Sequence, residues 1–130
     1  MSRLPWIMLG GALGTACRYG VGLGMAALLG PSFPYGTLAV NLLGSGLMGL
    51  LYALVSVSPA NGSAYALILG TGFLGGFTTF SAFSLDSVRL FEDGQVGRGL
   101  LYLGLTLGGC LLATALSYAL GQRIFAGPAG

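Results

Sequence analysis

The stretch GTGFLGGFTTFSAFSLD, residues 70–86, lies where an apolar segment should cross a membrane, yet it carries Gly70, Gly72, Gly75 and Gly76, followed by Thr78, Thr79, Phe80, Ser81, Phe83 and Ser84. Glycine inside a helix costs up to about 1 kcal/mol against alanine. Irregular backbone at lipid depth survives only where it is buried in protein or lines a cavity. The pattern therefore predicts a helix broken in mid-membrane around Gly75 and Gly76. Unwound carbonyls at such a break suit a cation, and the half-helix N-terminus beyond it suits an anion. Phe80 and Phe83 stand three apart and share a face. The rim of a phenyl ring is the positive part of its quadrupole, so such a pair can meet a small anion without a formal charge. A phenylalanine pair elsewhere is more often core; the glycines and hydroxyls around this one favour a site.

The rest of the chain has the same apolar character. Of its 130 residues 55% are hydrophobic and 6% charged, against roughly 25% charged in soluble domains, and the mean hydropathy is +0.88. Apolar segments at about 4–29, 35–57, 64–85 and 99–120 each reach the ~20 residues that cross ~30 Å of hydrocarbon. One all-α domain over residues 1–130, with four transmembrane helices, is the expected architecture. The connections GPSFP, SVSPANGS and RLFEDGQVGR read as turns at the water interface, so both termini should lie on one side. Arg3 followed by an apolar run has the look of a secretory leader, but Arg18 interrupts it and no convincing cleavage site follows, so cleavage is not expected. The short AGPAG end is the one low-complexity segment.

Charge and composition exclude several functions. The net charge of +2 comes from five arginines against three acids, with no lysine or histidine, so neither a nucleic-acid footprint nor a polybasic lipid patch is present. Cys17 and Cys110 are far apart and, without histidine, assemble no zinc, haem or iron–sulfur ligand set; both read as small packing residues. Arg3 and Arg123 fall on the terminal side, and Arg89 and Arg98 on the other. Arginine and lysine in short loops set orientation, so this balance predicts insertion both ways up and permits an antiparallel homodimer, unless a partner or the free amino group tips it. Small residues four apart, Gly10 with Gly14, Gly20 with Gly24, Ser45 with Gly49 and Gly104 with Gly108, indicate close helix packing.

Three polar features enter the membrane. Arg18 lies within the first span, where a bare guanidinium costs at least ~2.5 kcal/mol; it either snorkels to the interface or has a function. Asn41 lies six residues past the same connection, so the two should meet one mouth and attract an anion. Tyr102, Thr106, Cys110 and Thr114 recur every four residues on the last helix, a stripe of donors for a moving anion or a stripe of packing hydroxyls.

GTLAVNLLGSGLMG, GTGFLGGFTTFSAFS and the GxxxTACRYG of the first helix resemble the Fluc (CrcB) fluoride channels, and the four-span layout extends the likeness over essentially the whole chain. The resemblance implies a dual-topology antiparallel homodimer with two pores in the inner (plasma) membrane, passively exporting fluoride and conferring fluoride resistance. It implies a structural Na+ at the dimer centre, held by backbone carbonyls of Gly75 and Thr78. It also implies a fluoride pathway along Asn41, Phe80, Phe83, Tyr102, Thr106 and Cys110, with Arg18 in the anion vestibule. Phe77, Ala82, Gly46 and Cys110 depart from the family pattern. Only Cys110 touches the polar track, where a thiol is a weaker donor than the usual hydroxyl.

Two other readings predict different behaviour. A small multidrug exporter needs a titratable group inside the bundle, whereas Asp86 stands at the end of the third span and Glu92 and Asp93 in a connection. A non-transporting membrane subunit predicts no ion flux. No nucleophile–base pair, carboxylate pair or metal set supports an enzyme.

Overall fold

The structure, a computed structural model, describes residues 2–57 and 59–127, the side chains of 59–61 excepted. Ser58 of the second connection and the last three residues of the AGPAG end lie outside the described residues. The chain is helical: α1 (Leu4–Leu29), α2 (Tyr35–Val57), α3 (Pro59–Tyr65), a π-helical segment (Ala66–Leu74), α4 (Gly75–Phe77), α5 (Phe80–Glu92) and α6 (Val96–Phe125). Four helical stretches are long and apolar enough to span a membrane: Leu4–Leu29, Tyr35–Val57, Gly62–Glu92 and Val96–Phe125. This is a multi-pass membrane protein.

The third and fourth spans outrun the expected 64–85 and 99–120, because the connections are shorter than their composition suggests. SVSPANGS does not remain a turn: helix resumes at Pro59, a residue suited to a first helical position. In RLFEDGQVGR the turn shrinks to Asp93–Gln95, with Gly94 at φ +73. Gly30, at φ +80, ends α1 and returns its N–H to the Ala26 carbonyl at 2.9 Å. The ends are tied in pairs. Arg3 donates to Ser63 at one end, 3.2 Å, and Arg98 to the Ser32 carbonyl at the other, 3.3 Å. The chain therefore runs up, down, up, down with both described ends on one side.

The third span is broken, but not at the expected place. Gly75 is helical, at φ −61 and ψ −38; the extended residues are Thr78, at φ −83 and ψ 159, and Thr79, at φ −154 and ψ 112. The glycines serve approach instead. A Cβ on Gly72 would lie 2.9 Å from the Ile7 carbonyl, and one on Gly76 would meet the Gly11 carbonyl. Across the same seam a Cβ on Gly10 would sit 2.8 Å from the Ile68 carbonyl. The break then lets the span change neighbours: the π-segment and α4 pack on α1, whereas α5 packs on α6. α2 makes the most extensive interface, with α6, where Gly49 leaves room for Thr114 and Ser117. Gly20, Gly24, Gly104 and Gly108 have nothing within 4 Å of a built Cβ, so those two pairs do not pack inside one chain.

The buried interior is small: Val40, Ala53, Leu74, Phe77, Phe83, Leu90 and Tyr102. Most large leucines face outward, as they do where lipid is as apolar as leucine.

Candidate functional site

The site is organised by the break. In an unbroken helix the Thr79 N–H would bond the Gly75 carbonyl; here it donates to Asn41 Oδ1 at 2.8 Å, and Asn41 Nδ2 donates to the Thr79 carbonyl at 3.0 Å. The carboxamide thus pairs with both main-chain groups of one residue, its N–H and its C=O, as a neighbouring strand would. Asn41 is 7% and Thr79 9% exposed, so an unpaired Thr79 N–H here would cost about 1–3 kcal/mol. Thr79 Oγ1 accepts from the Ala82 N–H at 3.2 Å, capping α5. On the other flank both the N–H and the Oγ1 of Thr78 donate to the Leu74 carbonyl, at 2.9 and 3.0 Å.

The carbonyls freed at the end of α4 meet α1. Thr15 Oγ1 donates to the Gly76 carbonyl at 3.5 Å, and Arg18 Nη1 to the Thr78 carbonyl at 3.4 Å. Arg18 is half-buried and points at the break rather than snorkelling. The Gly75 carbonyl, whose helical partner has gone to Asn41, has no donor among the described residues. Neutral backbone oxygens at Gly75 and Thr78 are the donor type a hard cation takes. The Thr78 oxygen can share, since a carbonyl has two lone pairs and Arg18 uses one.

Two cavities flank the break. The first, about 360 Å³, is lined among others by Asn41, Thr78, Thr79, Phe80, Thr106 and Cys110, and no charged residue lines it. The second, about 320 Å³, has Thr15, Arg18, Tyr19, Thr37 and Thr79 on its wall. Asn41 and Arg18 therefore do not share a mouth as the sequence suggested. They grip adjacent residues of one backbone from opposite sides, and Thr79 faces both cavities.

The aromatic residues separate as well. Phe80 is 73% exposed and borders the first cavity, while Phe83 is 3% exposed. Their centroids lie 5.4 Å apart at 59°, Phe83 meets Tyr102 at 5.2 Å and 54°, and Tyr102 meets Phe33 edge-on at 5.5 Å and 84°. An aromatic file runs from the cavity to the first connection. At its far end Asp86 Oδ2 accepts from Thr37 Oγ1 at 2.8 Å and from the Tyr102 hydroxyl at 3.3 Å. Sequence reasoning missed Thr37 and gave Asp86 no role. The signal was the three-residue step Phe80, Phe83, Asp86 along one face of α5.

The stripe on α6 divides by residue. Thr114 packs, donating to the Ser45 carbonyl at 3.1 Å. Thr106 is 5% exposed, and its buried Oγ1 has no partner among the described residues. Cys110 is half-buried on the cavity wall, and Cys17 is exposed, not packed within the chain. Tyr102 sits in the core with Phe83 and Leu90, away from the first cavity.

Comparison with known proteins matches residues 5–118 to the family described as CrcB-like protein, Camphor Resistance (CrcB). Relatives named fluoride-specific ion channel FluC include one from Cereibacter sphaeroides, 53% identical over 108 residues, 83% of this chain and 85% of that one. One from Agrobacterium fabrum is 46% identical over 96% of this chain and all of its own. Another, from Sorangium cellulosum, is 42% identical over 98% of this chain and all of its own. These relatives are named as channels, not enzymes. By a match that spans all four membrane helices, the chain belongs to the CrcB family.

Proposed function

We propose that this protein is a passive, fluoride-selective channel of the inner membrane, exporting fluoride and so conferring resistance to it, and that it works as an antiparallel homodimer with a central structural Na+. The observation that carries the reading is the uncharged cavity at the break, where the Asn41 amide, the Phe80 ring and the unpartnered Thr106 hydroxyl come together. Fluoride is small and strongly hydrated, so a conducting path must replace its water by donors without holding it. Several neutral contacts do this better than one cationic site, because the ion must also leave. Asn41 keeps one amide hydrogen after bonding Thr79. Phe80 and Phe83 offer ring edges, and Tyr102 continues the file. Cys110 extends the wall with a weaker thiol donor. Arg18 supplies positive potential on the other side of the same backbone.

Gly75 and Thr78 would hold the Na+ through their carbonyls. When bound, that ion raises the potential for anions at the break. Two carbonyls from one chain do not enclose an ion, and a second copy supplies the matching pair.

The test is fluoride efflux from liposomes containing only the purified protein, with chloride as control, with and without Na+. Fluoride efflux without chloride efflux, weakened when Na+ is withdrawn, is expected. Absence of fluoride efflux would overturn the reading.

A further inference from the structure

Phe33 stands in the link between α1 and α2 and is the ring of the aromatic file farthest from the first cavity. It is half-buried, and its ring meets Tyr102 edge-on at 5.5 Å and 84°. Two further cavities at this end of the bundle, of about 320 and 250 Å³, both have Phe33 and Asp86 on their walls. Phe83 and Tyr102 line neither of these, nor the first cavity. Those two rings therefore fill the interval between the first cavity and the water end, and Phe33 is the first ring beyond it. The link that carries Phe33 is held in place. The Tyr35 N–H donates to the Phe33 carbonyl at 2.8 Å, and Pro34 restricts the backbone of the residue before it. Arg98, one turn before Tyr102 on α6, donates through Nη1 to the Ser32 carbonyl at 3.3 Å and to Gln95 Oε1 at 3.1 Å. One face of α6 thus bears both the ring that Phe33 meets and the tether that fixes its link.

We propose that Phe33 contacts the permeating fluoride, its ring edge passing the ion between the buried file and water at the first connection, and that Arg98 is the positioning residue that holds it there. The inference rests on the channel reading above and adds these two residues to it. An ion that has passed the Tyr102 ring finds little else to meet. The Tyr102 hydroxyl is committed to Asp86 Oδ2, which also accepts from Thr37. The carboxylate itself repels an anion. Phe33 is neutral, and its rim is the positive part of its quadrupole. Its ring reaches the core on one side and the two outer cavities on the other, so water can return to the ion while the ring still touches it. Such a contact is weak, which suits the last step of a path that the ion must leave.

The experiment separates the polarity of the ring from its packing. Pentafluorophenylalanine in place of Phe33 keeps nearly the same shape and reverses the charge of the rim, whereas Phe33→Leu removes the ring. Each should cut fluoride flux into liposomes about two- to tenfold, the scale of one ring-edge contact. The fluorinated ring decides the matter if Phe33→Leu fails to assemble. Arg98→Met should slow flux to a similar degree, Arg98→Lys should restore most of it, and Arg98→Met should add nothing to Phe33→Leu, because both act on one ring. Native flux with the fluorinated ring would mean that Phe33 only packs against Tyr102, and faster flux in Phe33→Leu would make it a barrier; either result would overturn the inference and leave the channel standing. Additive losses from Arg98→Met and Phe33→Leu would overturn the role of Arg98. No flux from the unaltered protein would remove the channel reading as well.

Discussion

Asn41 shows how one side chain can hold a main-chain geometry that local propensity would not choose. Its two bonds to Thr79 replace what the helix gives up there, so the residue acts on the fold before it acts on any ion. Asn41→Leu should orphan the Thr79 N–H and lower the unfolding free energy by about 1–3 kcal/mol, measured by denaturation in mixed detergent. Asn41→Asp should do at least as badly, because a carboxylate keeps the acceptor but sets a second oxygen against the Thr79 carbonyl. Native stability in both variants would show that Asn41 does not lock the break. The two phenylalanines separate function from folding in the same way. Phe80 is largely exposed on one chain, so Phe80→Ile should leave monomer stability unchanged while fluoride flux is lost or greatly slowed. Phe83 packs against Tyr102 in the core, so Phe83→Ile should lose flux and also about 1–3 kcal/mol of stability. Undiminished flux in both would contradict the ring-edge path.

At the scale of the element, the third span separates two uses of glycine that look alike in sequence. The four spans, the first connection and a break in the third were legible, because each follows from apolar run length and from backbone that lipid must not meet; the second and third connections were read too long, since helix resumes at Pro59 and the later turn is only Asp93–Gln95. The break's address was not legible. Gly72 and Gly76 are small because Ile7 and Gly11 of α1 lie against them, and Thr79 is extended because Asn41, 38 positions away, accepts its N–H. Neither fact is local. How the α6 stripe divides was not legible for the same reason: Thr106 and Thr114 lie along one stripe, yet among the described residues only Thr114 finds a carbonyl across the interface, on Ser45. Arg18 and Asn41 were expected at one mouth; they reach the adjacent Thr78 and Thr79 carbonyls from two different cavities instead. Gly76→Ala should therefore cost about 1–3 kcal/mol by forcing α1 and α4 apart. Gly46→Ala, with nothing within 4 Å, should instead gain up to about 1 kcal/mol from helix propensity. Thermal unfolding in one detergent compares them, and equal effects would show that the glycines are not a packing seam.

For the whole molecule, one chain leaves unfinished what its break begins. Phe80 is exposed and the first cavity opens at the chain's surface, and the two carbonyls proposed for the Na+, on Gly75 and Thr78, are fewer than a cation takes. An antiparallel second copy answers both needs, and the arginines permit it: Arg3 and Arg123 at one end balance Arg89 and Arg98 at the other. Because Lys and Arg near the span ends set orientation, a few added charges should break the balance. Two arginines appended to the C-terminus should hold the terminal side in the cytoplasm; Ser32→Arg with Glu92→Arg should hold the opposite side there. A C-terminal topology reporter should show the unaltered chain in both orientations and each biased form in one. If conduction requires two opposed chains, cells making either biased form alone should lose fluoride efflux, and cells making both together should regain it. Native efflux from either form alone would mean that parallel pairs or single chains conduct, and the proposed antiparallel assembly would fall.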